Sequence, residues 1–205
     1  MLKNPRKIKY MSNAAARNSH PLDAMVAISD VVTNHRYAQI YARVLTLDTP
    51  TVEELSEGLD SSTTTVYEDV KHLVESGILE RVTDTQPHRY QARQIDLSVQ
   101  TDDDSYRITP SLFVALARRE TNENIRLFLD RHGVGGLASG LEYAHDYVRG
   151  QMNARIMARE QDFPVLEAET ILQELRDVLL DVDPDFEETP DIDELDAAVD
   201  EWSEE

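Results

Sequence analysis

Cysteine is absent from the chain, which removes disulfide frameworks and thiolate metal sites at once. No apolar run approaches the roughly 20 residues that a membrane-spanning helix needs. The basic opening MLKNPRKIKYMSN has no apolar segment behind it to make a signal peptide, so a cytoplasmic protein without membrane contact is expected. Lysine is scarce as well: of 20 basic residues, only Lys3, Lys7, Lys9 and Lys71 are lysine, against 40 acidic residues. An acid-rich, lysine-poor balance is what proteins of salt-adapted cells use to stay soluble. A mesophilic protein with one acidic tail would explain the acid but not the missing lysine.

A net charge of -20 argues against a nucleic-acid partner until its distribution is counted. Residues 1–97 carry 11 Lys and Arg against 13 Asp and Glu, residues 98–160 carry 8 against 9, and residues 161–205 carry 1 against 18. The excess therefore lies almost wholly in the last 45 residues of the 205, and the rest of the chain is close to neutral.

Residues 1–20 are basic and aperiodic and read as a flexible arm. From Pro21 a helical period sets in, with Leu22, Met25, Val26, Ser29 and Val32 on one face. Tyr37, Ile40, Tyr41, Val44 and Leu45 repeat the spacing. Thr51 and Glu54 have the spacing of a capping box and open a short helix that stops near Gly58. In the next helix Ser62 is placed to cap the N-terminus and Gly77 to take the left-handed conformation beyond the C-terminus. Val66, Val70, Leu73 and Val74 form its predicted buried face, which turns Thr63, Thr64, Tyr67, Glu68 and Lys71 outward. LERVT and HRYQA then read as a hairpin. Ile95, Leu97 and Val99 with Tyr106 and Ile108 read as a second one around TDDDS. Helical spacing returns over Leu112–Arg119, Asn122–Arg131, roughly Gly136–Arg159, and Val165–Val182. From Asp183 the chain is acidic and proline-punctuated and reads as a largely disordered tail, although Ile192, Leu195, Val199 and Trp202 have amphipathic spacing.

A short capped helix, a tight turn, a second helix with a small polar N-terminus and a hairpin are the parts of a winged helix-turn-helix. Residues entering the major groove must be small enough to let the backbone approach and polar enough to bond base edges or phosphates. Ser62, Thr63, Thr64 and Thr65 meet both demands, and Tyr67 and Lys71 lie further along the same helix. Glu68 is open to two readings: it accepts from a cytosine amine, or it pairs with Lys71 or His72 on its own helix.

The run TVEELSEGLDSSTTTVYEDVKHLVESGILERV resembles winged-helix regulators of the ArsR and TrmB-like kind. The resemblance covers roughly residues 35–93. It implies DNA recognition by Ser62, Thr63, Thr64, Tyr67, Glu68 and Lys71, with Arg89 on the wing near the DNA backbone. Ser61, at a usually apolar position, and Val70, where leucine is common, depart from the pattern. Downstream, HGVGGLASGLEYAHDYVRG resembles the C-terminal domain of uncharacterised haloarchaeal regulators and brings no known site residues.

Other constellations carry less. His132, Glu142, His145 and Asp146 invite a metal reading, but no ligand motif or converging set supports one. The glycines of HGVGGLASG lack both dinucleotide and P-loop order, and no nucleophile elbow or catalytic triad pattern is present, so no catalytic residue and no cofactor are expected. Gly136, Gly140 and Ala144 recur every fourth residue, flanked by Leu137, Leu141 and Val148. Either they form a smooth helical stripe for a helix or subunit contact, or the helix begins only after Gly140.

These readings combine into a mainly α fold with a small β-wing. A winged helix-turn-helix occupies 21–93, a β-hairpin and helical dimerisation or sensor domain 94–182, and the acidic tail 183–205. The expected function is sequence-specific binding of double-stranded DNA as a homodimeric transcriptional regulator, with any effector unknown. A winged-helix adaptor that binds proteins of the transcription machinery without reading bases is the alternative.

Overall fold

The computed structural model describes residues 9–12, 21–100 and 105–184. The arm outside Lys9–Ser12, the TDDD of the second hairpin turn and the tail beyond residue 184 lie outside the described residues. The fold is mainly helical with a small β-wing and divides into two compact units, Met1–Ala138 and Ser139–Glu205.

In the first unit, α1 (Pro21–Thr33) and α2 (His35–Leu47) are separated by Asn34, whose side chain accepts from the Arg36 backbone N–H at 3.1 Å and starts the second helix. The short α3 (Val52–Ser56) and the longer α4 (Thr63–Glu75) follow. Strands β2 (Leu79–Arg81) and β3 (Tyr90–Ala92) then pair antiparallel, Leu79 opposite Ala92 and Arg81 opposite Tyr90, to make the wing. A second sheet has the order β1 (Lys9–Ser12), β4 (Leu97–Gln100), β5 (Ser105–Ile108), all antiparallel. Part of the stretch read as a basic arm is thus a strand, with Lys9 opposite Gln100 and Ser12 opposite Leu97.

The core of this unit is built on α2 and α5 (Pro110–Arg118), which pack together. Proline at the first position of α5 lacks an N–H that would have had no helical partner anyway, and residues 110–116 are all buried. Tyr41 and Phe113 meet edge to face with ring centroids 5.1 Å apart. The Tyr41 hydroxyl donates to the Arg93 carbonyl at 2.7 Å, so the buried ring also ties α2 to the end of the wing. Burial raises its pKa well above the ordinary tyrosine value.

Helix α6 (Glu123–Val148) joins two segments that the sequence suggested were separate, and it bends at Gly133, where φ is 67°. Gly136 and Gly140 are inside the helix, so the loop alternative is not what the chain adopts. The break falls later than the sequence spacing suggested: Gly150, at φ 66°, ends α6, and Asn153 caps α7 (Ala154–Gln161) by accepting from Ile156 N–H at 3.1 Å. In the second unit α7 packs on α8 (Val165–Val182), which buries Ala168, Ile171, Leu172, Leu175, Val178 and Leu179.

Candidate nucleic-acid interface

Two caps built from local side chains set the position of α3 and α4. Thr51 Oγ1 accepts from Glu54 N–H at 3.3 Å while the Glu54 carboxylate accepts from Thr51 N–H at 2.7 Å, closing the box at the start of α3. These bonds, helped by Arg89, hold the exposed Glu54 carboxyl below its ordinary pKa. At the start of α4, Ser62 Oγ accepts from Thr65 N–H at 3.2 Å and lies 2.9 Å from Thr65 Oγ1. Each such cap contributes about 1 kcal/mol. The far end of α4 closes as a Schellman motif: Gly77, at φ 78°, donates to Val74 O at 3.1 Å, and Ile78 donates to Leu73 O at 2.9 Å.

Between these ends Val66, Val70 and Leu73 are fully buried, each contributing on the order of 1.5–3 kcal/mol of apolar burial. Val74, expected beside them, is half-buried, and the fourth buried position is Asp69. Its carboxylate is gripped by Arg36 of α2, through Nε to Oδ2 and through Nη2 to Oδ1 at 3.1 Å. One turn on, His72 Nε2 lies 3.2 Å from Asp30 Oδ2 of α1, and its ring stacks on Tyr37 at 5.2 Å. Sequence reasoning passed over Asp69. The signal was a lone charge inside the apolar stripe Val66, Asp69, Val70, Leu73.

The outward face is polar. Ser62, Thr63, Thr64, Tyr67, Glu68 and Lys71 are all exposed, and Thr65 is half-buried. The hydroxyls are not equally available: Ser62 and Thr65 are engaged in the cap, and Thr63 Oγ1 donates to Ser56 Oγ at 3.3 Å. Tyr67 is 54% exposed and lies beside the wing, near enough to Tyr90 to interact with it electrostatically. Glu68 does not pair along its own helix, because Lys71 lies 3.8 Å from Glu75 and His72 is turned to Asp30.

Arg89 is at the base of the wing. Its Nη1 donates to the Thr49 carbonyl at 2.7 Å and lies 3.6 Å from Glu54 Oε2, which fastens the wing to the entry of α3. Arg81 likewise lies 3.8 Å from Asp84. The basic side chains beside α4 thus face carboxylates, and the surface is hydroxyl-rich and nearly balanced in charge. Arg43 completes the frame: its guanidinium lies against Gly58 in the turn, in space a Cβ would enter, and Nη2 donates to Glu54 O at 3.2 Å.

The remaining candidate residues fall elsewhere. Leu137, Gly140, Leu141, Ala144 and Val148 are buried in the single chain and Gly136 is half-buried. Among the described residues no group of three or more His, Asp or Glu side chains is placed to hold a metal, and His145 lies 3.7 Å from Asp146. No helix among them is long and apolar enough to cross a membrane.

Residues 35–96 match the family described as "Sugar-specific transcriptional regulator TrmB", and residues 119–184 match a "Family of unknown function (DUF7437)". The first match spans α2 to the start of β4, so a TrmB-like winged-helix regulatory domain is present. No curated protein and no solved structure matches the chain.

Proposed function

We propose that the protein is a DNA-binding transcriptional regulator of a salt-adapted cell, acting as a homodimer that reads sequence through the N-terminal half of α4. The observation that carries this reading is the exposure of Thr63, Thr64, Tyr67, Glu68 and Lys71 on one face of a helix whose two ends and inner face are all tied down. The TrmB-like match over residues 35–96 supports a regulatory role. At about 1 M salt the Debye length is roughly 3 Å, so long-range attraction to phosphate is screened. Counterion release is then a weak driving force, and short-range hydrogen bonds must supply more of the affinity. A hydroxyl-led, charge-balanced helix suits that regime.

One observation favours the adaptor alternative: Lys71, Arg81 and Arg89 each lie within 4 Å of a carboxylate. Selection from a pool of random duplexes in concentrated potassium chloride separates the two readings. A regulator enriches a shared motif, and Thr64→Ala weakens binding to that motif by about 1 kcal/mol while leaving a scrambled duplex unaffected. Lys71→Ala weakens both duplexes alike and lowers the salt slope by about one phosphate contact. Failure to enrich any motif decides for the adaptor.

A further inference from the structure

Asp69 is the buried acidic residue among the described residues, on the inner face of the helix proposed to read DNA. Its side chain is 7% exposed, whereas that of its partner Arg36 is 36% exposed. A carboxylate taken out of water needs a partner with near-ideal geometry, and replacing such a pair by apolar residues is often neutral or stabilising. The pair is therefore poorly explained as a source of stability. Its distinguishing property is direction. Apolar contacts of Val66, Val70 and Leu73 tolerate small rotations of α4 about its axis, because burial is non-directional. The two-pronged contact from Nε and Nη2 has one geometry, and a helix turned by a single residue would carry Asp69 about 100° out of reach. Arg36 is itself held, since its backbone N–H donates to the Asn34 side chain that caps α2.

We infer that Arg36 and Asp69 are positioning residues that fix the rotation of α4 on α2, and so determine sequence specificity without touching DNA. The inference rests on the DNA-reading function. It locates part of the discrimination between sequences in a buried ion pair behind the helix, while Thr63, Thr64 and Tyr67 make the contacts in front.

The test uses the full chain and the duplex that the parent protein enriches from a random pool, with a scrambled duplex as reference. Variants are Asp69→Asn and Arg36→Lys, which keep the volume but lose the two-pronged charged contact. A third combines Arg36→Met with Asp69→Leu. The expected result is that the double variant melts no lower than the parent, binds the scrambled duplex as the parent does, and loses at least tenfold in the ratio of the two affinities. Arg36→Lys loses part of that ratio although the charge is kept. Should the double variant fail to fold, the two single variants, measured at temperatures where they are fully folded, give the same comparison. The inference is overturned if folded variants keep the parental ratio, or if both duplexes weaken in parallel. If the parent enriches no motif, the DNA-reading function itself fails, and this inference falls at its premise rather than at the ion pair.

Discussion

Helices α4 and α6 treat glycine in opposite ways. Gly77 stops α4 because the two backbone bonds of the Schellman motif turn the chain into β2, which then needs the left-handed residue. Gly133 has nearly the same φ, 67° against 78°, yet α6 resumes beyond it and passes through Gly135, Gly136 and Gly140. The difference is not in the glycine. Local side chains and the departing strand fix the ends of α4, whereas α6 continues because residues on both sides of the bend, Phe128 and Leu129 before it and Leu137 and Leu141 after it, are buried. Tertiary packing here outweighs the helix cost of about 1 kcal/mol for each interior glycine.

The largest predicted effect sharpens that contrast. Gly140 is buried in α6 beside Leu137, Leu141 and Ala144, so Gly140→Leu is expected to lower stability by about 1–3 kcal/mol through overpacking. The same side chain placed at the exposed Thr64 of α4 should change stability by no more than about 0.5 kcal/mol. Thermal melting and sedimentation of both variants check this. Equal melting temperatures would mean that the glycine stripe packs against nothing.

What could be read from the sequence follows the same division. The capping box at Thr51 and Glu54, the Ser62 cap, the Gly77 ending and the span of α8 all depend on residues within a few positions of one another, and each was legible. The strand at Lys9–Ser12 was not, because its partner β4 lies nearly 90 residues away and no local period announces the pairing. Arg89 looked like a free wing charge until the fold brought Thr49 and Glu54 against it. Seven glycines look alike in a sequence, and only the backbone path singles out Gly77, Gly133 and Gly150 as left-handed.

A smaller pair of effects has opposite signs. Gly77→Ala meets no atom closer than 3.6 Å, so its expected cost of about 1–2 kcal/mol is backbone strain at positive φ and not crowding. Gly135 is helical with nothing within 4 Å of an added Cβ, so Gly135→Ala should stabilise by up to about 1 kcal/mol. At the neighbouring Gly136 that gain is opposed, because a Cβ there would stand 2.4 Å from the Cβ of His132. Denaturant unfolding of the three variants would break the comparison if Gly77→Ala and Gly135→Ala shifted the midpoint in the same direction.

The smallest effect tests whether the α3 cap works by charge as well as by hydrogen bonding. The Glu54 carboxyl is held below its ordinary value of 4.5 by the Thr51 backbone and side-chain bonds, with a lesser contribution from Arg89. A depressed carboxyl pKa contributes stability that is present above the unfolded value and is lost as pH falls through the folded one. Glutamine can still accept from the Thr51 N–H, so Glu54→Gln removes the charge while keeping the box. The parent should therefore melt slightly higher than Glu54→Gln at pH 6–7, and the gap should close as the pH falls below about 4.5, when both side chains are neutral. Melting curves taken in parallel across that range decide the matter. A gap that stays constant with pH would mean that glutamine is simply a poorer cap, and that the contacts with Thr51 and Arg89 owe nothing to the carboxylate charge.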